Sequence, residues 1–151
     1  MSSEQDEILA RELGKVGALG GLLGGGVAGA AGGAVGASFA ARFLPTERYQ
    51  HQVTISQDAP TVLGKVAAFF ASEGRIADEI EAGSSPYPKI SGVLGSGFLK
   101  MNPALVHVEV VSVDDDSCTL FVSGAAKEGL IKQQSAQKAV HRVIEAIATK
   151  G

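Results

Sequence analysis

Three histidines, one cysteine and a run of three aspartates are the side chains whose chemistry could go beyond packing. His51, His107 and His141 show no HxxxH or comparable ligand spacing, so each reads as a strand-face or surface residue and no metal site is assigned. His107 and Glu109 lie two apart on one expected strand face, where they could share a proton or form an ordinary cross-strand polar pair. Asp114, Asp115 and Asp116 are adjacent, whereas a calcium loop spaces its ligands, so they read as a solvated hairpin turn. Cys118 opens an expected buried strand and reads as an inert thiol. A lone cysteine excludes an intramolecular disulfide and any multi-cysteine zinc or iron–sulfur site. No Walker, GxSxG or HExxH pattern is present. Gly24, Gly26 and Gly29 match GxGxxG, but the strand before it and the acidic residue about 20 positions after it are missing. Lys127-Glu128-Gly129 before the last helix could bind an anion at the helix N-terminus, although a simple helix start explains the same residues. No catalytic residue is assigned, and the expectation is a protein that is not an enzyme.

The elements that must position these residues fall into two compositional parts. The chain has 151 residues, a formal charge of −3, 45% hydrophobic and 19% charged residues. So few charges among so many hydrophobes exclude a disordered chain, and the acidic balance excludes nucleic acid bound through general basicity. Eleven of the 20 glycines fall between Gly14 and Gly36, and Val16 to Ala41 carries no charge. The domain reading is therefore a polar lead over 1–15, a glycine-rich hydrophobic helix over 16–45 and an α+β domain over 46–151. Pro45 stops the helix at the preceding residue. Glu4, Asp6 and Glu7 give the lead the wrong charge for a secretory signal, so the segment is expected to be retained.

The glycines repeat every four residues. Gly17, Gly21, Gly25, Gly29 and Gly33 form one ladder, and Gly20, Gly24, Gly32 and Gly36, with Ala28, form a second beside it. On a helix the ladders merge into one smooth stripe. Leu19, Leu22, Leu23, Val27, Val35 and Phe39 supply bulk on the other side, where they could contact a lipid or another hydrophobic ligand. The segment resembles a glycine zipper, the extended small-xxx-small helix contact of membranes. Each glycine inside a helix costs roughly 0.8–1 kcal/mol relative to alanine, so the ten from Gly17 to Gly36 cost on the order of 8–10 kcal/mol. Close packing must offset that, either between copies or in a hairpin folded at Gly24-Gly25-Gly26. The uncharged run would reach roughly 39 Å as a straight helix, enough to span a membrane, or it could form a soluble stalk.

Beyond Pro45, alternation at Tyr49, His51, Val53 and Ile55 predicts a strand. Asp58 caps a helix with Pro60 in its first turn and Gly74 at its end. Strands follow near Arg75–Glu81, Lys89–Phe98, Ala104–Val113 and Cys118–Gly124, with a turn at Met101-Asn102-Pro103. Gly92, Gly95 and Gly97 are expected to weaken the second of these. The last element is an amphipathic helix over Gly129–Ala148. The order β-α-β-β-β-β-α predicts an α+β fold, an antiparallel sheet with helices on one face. Val106, Val108 and Val110 face the helices; His107, Glu109 and Phe121 face away, on a surface that is either plain solvated sheet or a docking face for a partner or another copy. The element order resembles a reduced helix-grip domain of the START/SRPBCC type. That resemblance implies a hydrophobic ligand held between the sheet and the terminal helix.

Together these features predict a membrane-associated, homo-oligomeric anchor or scaffold. Its partners would be copies of itself, a membrane and a larger protein complex, with no nucleic acid and no cofactor beyond a bound lipid or quinone. Arg42, Arg48 and Lys65 place the α+β domain on the cytoplasmic side by the positive-inside rule. Alternatives are a lipid- or quinone-handling subunit of a redox complex and a pore-forming membrane effector.

Overall fold

The computed structural model describes residues 5–16, 43–77, 88–96, 102–129 and 132–149, together with residues 18, 33, 36, 37 and 40. Helix α1 covers residues 5–16. Then come β1 (Thr46–Ile55), α2 (Ala59–Glu73), β2 (Gly74–Ile76), β3 (Lys89–Ser96), β4 (Asn102–Val113), β5 (Cys118–Lys127) and α3 (Ser135–Ala148). The five strands form one antiparallel sheet in the order β1-β5-β4-β3-β2. The α+β class and the element order from β1 onward are as the sequence predicts.

Local signals account for most boundaries. The Asp58 carboxylate accepts the Thr61 N–H at 2.8 Å and the Thr61 hydroxyl at 2.7 Å, satisfying orphan donors at the start of α2. Gly74 ends α2, its N–H reaching the Phe70 carbonyl, and the chain enters β2 without a connecting loop. The Asp114–Ser117 turn, closed by Asp114 N–H to Ser117 O at 2.8 Å, joins β4 to β5.

Several boundaries differ from expectation: β1 begins earlier, at Thr46, and β5 runs on past Gly124 to Lys127. Asn102 and Pro103 belong to β4, paired with Ser96 and Gly95 of β3, rather than to a turn. Proline is tolerated there because β4 meets β5 only from Ala104 onward, so no second ladder needs its missing N–H. Helix α3 begins at Ser135, six residues later than predicted. Gln134 before it has the left-handed φ of 54°. The Glu128 carboxylate folds back to accept the Gln133 N–H at 2.6 Å and the Ser135 N–H at 2.9 Å. Glu47 accepts the Ala136 N–H at 2.8 Å. The chain's own carboxylates thus occupy the helix N-terminus that an external anion would need.

Alternation along the strands divides the molecule into layers. Val106, Val108, Val110, Leu120 and Val122 pack against Val62, Val66 and Phe70 of α2 and Val140, Val143 and Ile147 of α3, forming the main core. Two glycines set how closely these layers approach. A methyl group on Gly92 would collide with the Phe70 ring, and one on Gly124 would lie 2.8 Å from Val140 Cγ2. The glycine expected to weaken β3 instead makes room for the largest side chain of the core. Arg142 fastens α3 to its neighbours, donating to Gly95 O at 3.0 Å and to Glu73 Oε2 at 2.8 Å.

Candidate functional site

The second face of the sheet carries a smaller core and the buried polar groups. Its residues form rows across the strands. Gln50, Ser123, His107 and Ser91 are register partners in succession, and the next row is Arg48, Ala125, Leu105 and Val93. Helix α1 lies on this face. Ile8 and Leu9 pack with Val93, Leu105, Ala125 and Ala77. The lead that reads as polar therefore hides an apolar stripe, with Leu9 fully buried.

Charged groups fix the described part of α1 at two points. Asp6 lies 3.0 Å from the Lys127 ammonium and accepts the Thr46 hydroxyl at 2.8 Å. Near the other end, Glu12 pairs with Arg75 and with Lys15, the latter at 2.8 Å. Partial burial pulls both carboxyls upward. Hydrogen bonds from Lys127 and Thr46 outweigh it for Asp6, as do those from Lys15 and Arg75 for Glu12, and both carboxyls end below their ordinary values.

His107 is only 6% exposed. The Gln5 amide nitrogen lies 3.0 Å from its Nε2, and the Ser91 hydroxyl lies 2.6 Å from its Nδ1. An amide nitrogen can only donate, so Nε2 is the acceptor and Nδ1 carries the proton toward Ser91. Burial, with a smaller repulsion from Lys89, pushes its pKa down to about 4. The neutral ring is thus a fixed structural polar group. It bonds to Ser91 and Gln5 rather than to Glu109, which is paired in register with Lys89 and Phe121.

The other chemically interesting residues stay apart. His51 is exposed on β1. His141 bonds through Nε2 to the Tyr49 hydroxyl at 3.2 Å on the opposite face. Cys118 is buried, and burial, with the nearby Asp58 charge, raises its thiol pKa. Among the described residues no group of three or more His, Cys, Asp or Glu is placed to hold a metal. Of the expected docking residues, His107 is covered by α1, whereas Glu109 and Phe121 are half-buried neighbours beyond it.

Of the glycine ladders, Gly33 and Gly36 are described and both are helical. No described residue comes within 4 Å of a methyl group placed on Gly36. Gly17, Gly20, Gly21, Gly24, Gly25, Gly29 and Gly32 lie outside the described residues, as do Leu19, Leu22, Leu23, Val27, Val35 and Phe39. Among the described residues no helix is long and apolar enough to cross a membrane. Asp6 also touches Thr46 directly, so residues on either side of the glycine segment belong to one packed body.

No family model matches the chain, and no curated protein matches it. Several solved structures are similar. A protein from Rhizobium loti shares 13% identity over 70% of this chain and 96% of its own, with a TM-score of 0.40. Truncated norcoclaurine synthase from Thalictrum flavum shares 11% over 70% of this chain and 92% of its own, with a TM-score of 0.44. A START superfamily protein from Mycobacterium smegmatis shares 11% over 67% of this chain and 94% of its own, with a TM-score of 0.41. Likenesses this remote carry no functional argument, so the function of this chain has to be read from its own geometry.

Proposed function

We propose that this protein is a non-enzymatic, self-associating scaffold. The glycine segment assembles copies of the chain, and the α+β body is the rigid unit that the assembly displays. The observation that carries this reading is α1 lying across the sheet, with Asp6 tied to Thr46 and Lys127. Described residues before and after the glycine segment thus meet in one body, and in this reading the segment serves contacts between copies. Gly36 is exposed and, outside its own helix, meets none of the described residues, which supports the same reading, because a glycine stripe is useful only where another backbone comes close. Assembly on these terms needs no membrane.

The test is the mass of the full-length chain by light scattering beside Gly25→Leu combined with Gly29→Leu. The expected result is an oligomer for the natural chain and a smaller species for the double variant, with unchanged circular dichroism of the body. A natural chain that is monomeric throughout, or a variant that assembles as well, would sink the proposal. Mass spectrometry of an organic extract tests the rival reading, since a lipid- or quinone-handling subunit would release a stoichiometric apolar molecule.

A further inference from the structure

Four consecutive small residues, Ser123, Gly124, Ala125 and Ala126, lie within β5. On the helix face the gap at Gly124 is filled by Val140 and Ala136. On the other face Ser123 and Ala125 leave the sheet low between taller neighbours, and α1 covers only part of the hollow. The result is a cleft of about 340 Å³ lined by Gln5, Arg48, Gln50, His107 and Ser123 among others. Its volume falls at the lower end of small-molecule sites, roughly 300–1,000 Å³.

The polar groups around this cleft are not used up by the fold. Arg48 is exposed and makes no ion pair among the described residues, although it acts on Asp6 at a distance. Arg48 lines the cleft, and the Asp6 carboxylate that it acts on is already held 3.0 Å from Lys127. Gln50 and Ser123 are register partners on the floor, one offering an amide and the other a hydroxyl. The Gln5 amide oxygen is buried without a hydrogen-bond partner among the described residues. A buried acceptor left unsatisfied carries a desolvation cost, so a donor supplied from outside is favoured. Both ring nitrogens of His107 are already engaged, making it a neutral wall rather than a reacting group.

We propose that the cleft beneath α1 binds a small hydroxylated carboxylate. Arg48 provides the counter-charge, Gln50 and Ser123 orient the molecule, and the Gln5 amide oxygen accepts one of its hydroxyl protons. The ligand is held without being transformed. The site lies on the sheet face opposite α2 and α3 and is independent of assembly through the glycine segment.

Amide chemical shifts of the isotope-labelled full-length chain test this with three probes. D-Gluconate carries both the charge and the hydroxyls, sorbitol carries the hydroxyls alone, and hexanoate carries the charge alone. Gluconate is expected to give saturable shifts centred on Gln50, His107 and Ser123, with sorbitol and hexanoate each binding at least about tenfold more weakly. Arg48→Gln, on an exposed edge strand, is expected to weaken gluconate by about tenfold or more while leaving the remaining spectrum in place. No saturable shift with gluconate overturns the site. Equal binding of sorbitol overturns the carboxylate assignment, equal binding of hexanoate overturns the hydroxyl assignment, and an unaffected Arg48→Gln overturns the counter-charge.

Discussion

Asp6, in the first turn of the described part of α1, lies 3.0 Å from Lys127, the last residue of β5. The lysine is buried, and its other polar neighbour is the Leu44 carbonyl at 3.4 Å. Without Asp6, whose side chain is 39% exposed, the buried ammonium would lose its nearest counter-charge. This contact draws the start of the chain, the end of β5 and the entry to β1 into one cluster.

Docking of α1 can be weakened separately from the main core. Leu9→Ala is expected to weaken it by roughly 2–4 kcal/mol. Hydrogen exchange is the measurement: the amides of Leu105 and Ser91 should lose protection, while those of Val66 and Val140 keep theirs. Uniform loss across both faces would show that α1 and the core unfold as one unit.

Acid should loosen the same face. The pKa of His107 is lowered to about 4 from its ordinary value of 6.5. Its contribution is therefore complete above the unfolded value and declines as the pH falls from 6.5 toward 4, by about 3 kcal/mol in all. Asp6 and Glu12, also lowered, add a loss that comes as the pH drops through their folded values. Urea denaturation across this range should show the decline, and His107→Gln should flatten its upper part.

Gly92→Ala should destabilise the protein by roughly 1–3 kcal/mol through overpacking against Phe70. Combining it with Phe70→Leu should cost less than the sum of the two single changes, because the smaller side chain vacates the space. Strict additivity in thermal unfolding would place the strain elsewhere.

Glu128→Ala should cost roughly 1–3 kcal/mol, since the Ser135 and Gln133 N–H groups lose their acceptor. Glu47→Gln should be nearly neutral in chemical denaturation. Burial and the adjacent Glu128 charge raise the Glu47 carboxyl pKa, and an amide oxygen can still accept the Ala136 N–H.

Much of the fold was legible in local patterns. Alternation marked β1, β4 and β5, the Asp58 and Gly74 caps marked α2, and the valines of β4 identified the face toward the helices. The late start of α3 was not legible, because the acceptor that delays it, Glu128, acts through its position in space. The carboxylate of Glu47 joins it from a strand 81 positions earlier. Gly92 misled for a similar reason: in isolation a glycine weakens a strand, and only the Phe70 ring opposite explains it.

The candidate site divides in the same way. By itself the sequence determined which strand residues share a face, because a pleated strand alternates its side chains whatever surrounds it. It placed His107, Glu109 and Phe121 on the face away from α2 and α3. Only the tertiary structure decided what covers that face. Ile8 and Leu9 sit among acidic and basic residues, and a short charged lead gives no periodic signal strong enough to predict burial. Their docking depends on the apolar surface of Val93, Leu105 and Ala125 and on charges at Lys127 and Arg75, all contributed by distant parts of the chain. Neither partner discloses that contact in its own stretch of sequence, because its free energy exists only once the sheet has formed.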